Sequence, residues 1–224
     1  MTMTRIIIPL QVTVVAFVFL LLPGAPARCE KNAAVPKTAL NRELQQELLR
    51  RVKEDQQGRT ELIDWMKSRK VQDPAQAKRE EFPAAQKLRA IDRANTQRLK
   101  EIVARYGWPG NSLVGKEGAN AAWLLVQHAD KDRPFQKECL RLMEQAAAKG
   151  EVSKTNLAYL TDRVLVGKQQ RYGTQIREVN GHFKPEPIED EGNVDKRRAE
   201  VGLEPLATYL EQIQKVYGPA APKK

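Results

Sequence analysis

The sequence predicts a mainly α protein, an irregular multi-helix bundle with one small β-hairpin near residues 173–188. Three observations carry this. Apolar residues recur at three- and four-residue spacing along most of the chain. Gly, Pro, Asp and Ser punctuate those stretches where helices start and stop. The period changes to two only around Asn180-Gly181.

The first stretch is an address. Ile6 to Leu22 is a nearly continuous apolar run behind a single cation, Arg5, and Ala25-Pro26-Ala27 follows. A small-x-small triplet after such a run reads as a secretory signal peptide over residues 1–27. An extracytoplasmic protein, secreted or periplasmic, is expected. The alternative is a membrane anchor formed by an uncleaved N-terminal segment. Arg28 before Cys29 argues against a lipid anchor, since that signal wants a small residue there.

Residues 28–85 read as an amphipathic N-terminal extension. From Thr38 to Lys70, Leu40, Leu44, Leu48 and Val52 form an i,i+4 ladder, resumed by Leu62, Ile63 and Met66. Gly58 costs about 1 kcal/mol inside a helix, so a break is expected there. Asp73-Pro74 opens a further helix, with Gln76 at the capping-box position. Phe82-Pro83 interrupts it.

Residues 86–217 read as a helical domain. Leu88, Ile91, Leu99, Ile102, Val103 and Tyr106 form one run, stopped by Gly107 and the turn Trp108-Pro109-Gly110. Gly118 to Ala129 is an Ala- and Leu-rich helix. Pro134 to Lys149 is another, with Phe135, Cys139, Leu142, Met143 and Ala146 on one face. Ser153 caps a helix from Lys154 to Val166, apolar on most sides and expected at the centre of the core. Short helices near Asn193 and from Pro205 to Tyr217 follow, and 218–224 is a tail.

Asn180-Gly181 is a strong two-residue hairpin signal. It pairs Val179 with His182, and the alternation outward sets Ile176 opposite Pro185 and Thr174 opposite Pro187. Both prolines then fall at non-hydrogen-bonded sites, where a missing N–H costs nothing. Ile176, Phe183 and Pro185 share one face.

Composition narrows the function. The chain has 224 residues, 41% apolar and 29% charged, with 38 Lys+Arg against 28 Asp+Glu and a net charge of +10. The excess is interspersed, without the clustered basic stripe that a nucleic-acid groove wants, so no nucleic-acid partner is expected. Weak association with an anionic membrane or polymer surface is consistent with the charge. Two Cys exclude a disulfide-dense scaffold, and a buried Cys139 with a separate Cys29 fits better than a bridge. Two His leave little room for a protein zinc site, and phosphate-loop, His-Glu-x-x-His, Gly-x-Ser-x-Gly and Cys-x-x-Cys patterns are absent. No cofactor or metal is anticipated.

Several motifs are distinctive together. They are Tyr106-Gly107-Trp108-Pro109-Gly110, Ala121-Ala122-Trp123-Leu124-Leu125-Val126-Gln127-His128-Ala129-Asp130, Leu157-Ala158-Tyr159-Leu160-Thr161-Asp162-Arg163-Val164 and Gln170-Arg171-Tyr172-Gly173-Thr174-Gln175. With Val194 to Leu203, they give roughly residues 90–210 a sequence that resembles a bacterial domain family of unknown function. The resemblance implies no activity, substrate or cofactor.

The candidate site residues therefore come from the residues themselves. On the central helix, Asn120, Trp123, Gln127 and Asp130 share one face, while His128 shares another with Ala121, Leu124 and Leu125. Trp123, Gln127 and Asp130 offer a ring, an amide and a carboxylate for a small polar ligand; the alternative is a packed Trp on a capped helix. His128 is either a satisfied core histidine or a general base. Asp162 and Arg163 are charges in an apolar helix, so each needs a partner, structural or in a site. Tyr172, Thr174 and Gln175 enter the hairpin and meet Gln127 or Asp130 if it folds over that helix. Three readings compete. One is an extracytoplasmic binding or interaction module for a small polar ligand or envelope component. The second is a hydrolase or transferase using His128 with Asp130 or Asp162. The third is a structural envelope protein.

Overall fold

The computed structural model describes residues 40–68, 83–179 and 182–217. Among them are seven α-helices and one two-stranded antiparallel sheet, a mainly α fold with a hairpin. The leader, Cys29, the Asp73-Pro74 helix start, the Asn180-Gly181 turn and the tail lie outside the described residues. Among the described residues no helix is long and apolar enough to cross a membrane.

Helix α1 spans Arg42–Ser68. The Asn41 side chain caps it, its Oδ1 accepting from Leu44 N at 3.0 Å. The break expected at Gly58 does not occur. The helix runs on, and Gly58 is buried. A methyl group there would lie 3.2 Å from Ile91 Cδ1 and 3.4 Å from Leu88 Cδ1. The glycine marks a close helix crossing, and that proximity offsets its propensity cost. The helix crossed is α2, Pro83–Tyr106. Glu47 clamps the pair, accepting from Arg51 Nε at 2.9 Å and Arg98 Nε at 2.8 Å. Arg98 leads the groups that hold this carboxyl down at about 2. Leu44 and Leu48 are buried in the same core cluster as Leu99, Ile102 and Leu125, so α1 belongs to the main body.

Helix α3 spans Asn111–Gln127 with a kink at Gly115. From Ala121 to Ala129 every residue is buried. This helix, and not the one beginning at Lys154, is the centre of the core. It lies among α1, α2, α4 (Arg133–Ala147) and α5 (Lys154–Val164). Asp132 caps α4 by accepting from Phe135 N, and Ser153 caps α5 by accepting from Asn156 N. Tyr159 and Val164 of α5 stay half-buried. Cys139 is fully buried, and burial pushes its thiol up to about 12.

Strands β1 (Ile176–Val179) and β2 (His182–Pro185) pair Val179 with His182 and Ile176 with Pro185, the register expected. Glu186 N donates to Gln175 O at 2.9 Å, one residue beyond the Ile176–Pro185 pair. Helices α6 (Val194–Glu200) and α7 (Leu206–Tyr217) complete a second small core of Val194, Leu206, Tyr209 and Ile213 against Ile176, Phe183 and Ile188.

Candidate functional site

Helices α3 and α5 run side by side in the same direction, and their contacts keep one offset. Asn156 Nδ2 donates to Asn120 Oδ1 at 2.7 Å, and the Trp123 and Tyr159 rings meet edge-on at 6.0 Å. Each pair is 36 positions apart, and one further turn sets position 127 abreast of Arg163. The Asn120–Trp123–Gln127–Asp130 face thus forms a polar and aromatic seam with Asn156, Tyr159 and Arg163. At its end Arg163 Nε lies 3.6 Å from Asp130 Oδ1, and the Asp130 side chain is 44% exposed.

His128 leaves the helix end toward α1. Its Nδ1 lies 2.9 and 3.0 Å from the two carboxylate oxygens of Asp55, which is fully buried. Arg59 closes the group from one turn along α1, with Nη2 2.9 Å from Asp55 Oδ1 and 2.6 Å from Asp92 Oδ1 on α2. Arg59 Nε sits 3.1 Å from His128 Nδ1 and 3.2 Å from Asp55 Oδ2. The carboxylate can only accept, so Arg59 Nε–H serves it, and on that ground we assign the His128 hydrogen to Nδ1. The other ring nitrogen, Nε2, is then a bare lone pair.

The electrostatics agree with a neutral ring. Burial lowers the His128 pKa, Asp55 pulls against it, and the Arg59 and Arg163 charges push it further down. Burial alone would raise Asp55, but the His128 hydrogen bond and the Arg59 guanidinium outweigh it and hold the carboxyl at about 2. Asp92 goes the other way. Burial, with the nearby Asp55 and Asp130 charges, raises it to about 6 against the pull of Arg59.

Five buried polar atoms of this region have no hydrogen-bond partner among the described residues. They are both amide atoms of Gln127, His128 Nε2, and Nε and Nη2 of Arg163. Gln127 is fully buried, Arg163 is 2% exposed and His128 6%. Native interiors leave only a few such atoms per hundred residues, and a concentration on three side chains wants a further group to satisfy it.

Asp162 has a different occupation. It turns away from Arg163 and accepts from Arg171 N at 2.8 Å, Thr174 N at 2.9 Å and Thr174 Oγ1 at 3.0 Å, with Tyr172 N at 3.2 Å. Burial pushes its pKa up while these donors hold it down. Gly173, at φ 71°, lets the loop turn back on the carboxylate, and a side chain there would strike Ile188 and Leu206. Gln175 Nε2 donates to Thr174 Oγ1, and Tyr172 O accepts from the buried Arg198. Tyr209 bridges back, its hydroxyl donating to Thr174 O and its ring meeting Tyr159 edge-on at 6.5 Å.

The candidate residues therefore fall into two groups. Asp130 and Arg163 meet at the end of the α3–α5 seam, with Gln127 on the same helix face one turn back and His128 turned to α1, within reach of the Arg163 charge. Asp162, Tyr172, Thr174 and Gln175 tie the hairpin's entry loop to α5. The Trp123–Tyr159–Tyr209 rings link them. Among the described residues the loop side chains make no hydrogen bond to the Gln127 amide; Thr174 Oγ1 donates to Asp162, and Gln175 Nε2 donates to Thr174 Oγ1. Sequence reasoning missed Asp55, Arg59 and Asp92. Two signals were present: an acid and a base four apart on α1, a pattern shared by many solvent-facing helices, and the place of Asp55 on the Leu48–Val52–Leu62 stripe, where a charge needs a partner. Among the described residues no three His, Cys, Asp or Glu side chains form a metal-ligand set.

No curated protein and no solved structure matches the chain. A family model covers residues 42–221, so α1 with its Asp55 and Arg59 lies inside the match. The chain belongs to DUF6624, a family of unknown function.

Proposed function

We propose that the protein binds a small polar ligand at the end of the α3–α5 seam, as an extracytoplasmic binding module. The observation that carries this is the set of unpartnered buried atoms on Gln127, His128 and Arg163. Leaving a buried donor or acceptor unpaired costs about 1–3 kcal/mol, a cost that a ligand relieves on binding. Export rests on residues 1–27 and is tested by the N-terminal sequence of the mature protein; an intact Met1 in a soluble cellular fraction defeats it. The test of the site is a thermal-shift screen of small polar compounds, wild type beside Gln127→Met. A compound that stabilises wild type and leaves the variant unmoved supports the seam. Compounds that move both proteins equally, or none, remove it.

A second reading, hydrolase or transferase, is favoured by the Asp55–His128 pair. A carboxylate that fixes the Nδ1–H tautomer leaves Nε2 free to take a proton from a water or hydroxyl nucleophile. Asp55 then fills the role first considered for Asp130 or Asp162. Turnover of a seam ligand that stops in His128→Gln supports this reading, and binding without turnover leaves the protein a binding module. Loose association with anionic surfaces is a separate proposal, resting on the +10 charge. Pelleting with anionic vesicles that is insensitive to salt, or absent, ends it.

A further inference from the structure

We propose that the ligand of the seam carries an oxyanion, a carboxylate or a phosphoryl group, seated on the Nε–Nη2 edge of Arg163. This rests on the seam as a binding site and adds the chemistry that would occupy it. The Nε and Nη2 hydrogens of a guanidinium project side by side from one edge, spaced to meet two oxygens of one anion. In Arg163 both are buried and both lack a hydrogen-bond acceptor among the described residues. The nearest acid, Asp130, stands 3.6 Å from Nε, outside hydrogen-bonding distance.

A guanidinium 2% exposed needs a partner of opposite charge, and the described residues supply only this distant one. Asp130 is also on the exposed rim, so its side chain can turn to water and clear the edge. Arg133 adds a second cation nearby. Its Nη1 donates to Arg163 O at 2.8 Å and its Nη2 to Val166 O at 3.3 Å, at the C-terminal end of α5. The remaining groups describe the rest of the ligand. The bare Nε2 of His128 accepts a hydrogen bond, and the Gln127 amide both gives and accepts. An oxyanion with a hydroxyl or amino group beside it matches all three side chains.

The test is a titration of the full chain, followed by thermal midpoint and by calorimetry, with sodium phosphate and with sodium acetate. Sodium chloride holds the ionic strength constant. Wild type, Asp130→Asn and Arg163→Lys are compared. Saturable stabilisation of wild type is expected, larger with phosphate if the natural group is phosphoryl and larger with acetate if it is a carboxylate. Asp130→Asn should bind at least threefold tighter, because the competing acid is gone. Arg163→Lys should bind at least tenfold weaker, because an ammonium keeps the charge and loses the paired edge. If Arg163→Lys does not fold, Asp130→Asn decides.

Binding that neither variant alters overturns the oxyanion seat. So does silence toward both anions when a neutral compound stabilises wild type and not Gln127→Met, an outcome that leaves the seam reading standing. Silence toward every compound removes both.

Discussion

The imidazole Nδ1 of His128 lies 2.9 Å from the carboxylate of Asp55, a residue 73 positions earlier on a different helix. The contact holds α1 to the end of the central helix and sets the tautomer of the ring. Asp55→Ala takes the acceptor from the buried His128 N–H and one carboxylate from Arg59, which keeps Asp92 at 2.6 Å. Leaving that N–H unmet costs about 1–3 kcal/mol, so the thermal midpoint should fall by roughly 2–12 °C, read by calorimetry. The acid limb should also change. Asp55 titrates at about 2 in the folded chain against an ordinary 3.8, so its stabilisation is complete above 3.8 and fades as pH falls toward 2. The variant should lose stability less steeply than wild type in that window.

Asp92 is predicted to destabilise the protein at neutral pH. Its folded pKa is raised from 3.8 to about 6, so the folded chain holds its proton more tightly than the unfolded one. Stability from this group is therefore full below pH 3.8 and is lost as pH rises through 6. Asp92→Asn keeps an oxygen for Arg59 and removes the charge. Urea unfolding at pH 7.5 should show a gain of about 1–3 kcal/mol, and at pH 3.5 no gain. A gain of equal size at both values would mean that charge is not the cause.

Gln127 is predicted to be a site residue that weakens its own fold. Its two amide atoms are buried without partners among the described residues, and methionine fills nearly the same volume with no such atoms. Gln127→Met should raise the midpoint of the ligand-free protein by about 2–6 °C, from roughly 1–2 kcal/mol of relieved desolvation. A lowered midpoint would show that the amide has acceptors and donors of its own within the chain.

Legibility followed range along the sequence. The face Asn120–Trp123–Gln127–Asp130 could be read because a helix repeats every three or four residues, and α5 answers it with Asn156, Tyr159 and Arg163 at the same spacing. The hairpin register could be read because a two-residue turn leaves one pairing, which the Val179–His182 and Ile176–Pro185 pairs follow. Asp55 was passed over although one local cue marks it: three residues after Val52 and seven before Leu62, it lies on the apolar stripe, off which Glu54 and Glu61 fall. Its partner, at the end of α3, is a tertiary fact. The centre of the core was misplaced for a related reason. The Leu and Val content of 154–166 looks self-sufficient, yet α5 turns Asp162 to the hairpin's entry loop and Tyr159 to Tyr209, while the small alanines of α3 admit neighbours from four helices.

The state of the His128 ring is the last expectation, and it separates a usable base from an inert core residue. With Nδ1–H held by Asp55, a long-range nitrogen-detected NMR spectrum should show Nδ1 protonated and Nε2 not. Burial and two nearby guanidinium groups lower its pKa, so this pattern should persist unchanged from pH 8 to below the ordinary 6.5. The linkage sign is then opposite to that of Asp92. The unfolded chain protonates His128 first, and stability attributable to it is lost as pH drops through 6.5. In Asp92→Asn, where the other carboxyl no longer masks it, that loss should appear as a fall in unfolding free energy between pH 7 and 5. Titration of the ring near 6.5 would mean that water reaches Nε2 freely. The nitrogen would then have no need of a ligand, and neither the seam nor the base would have its central group.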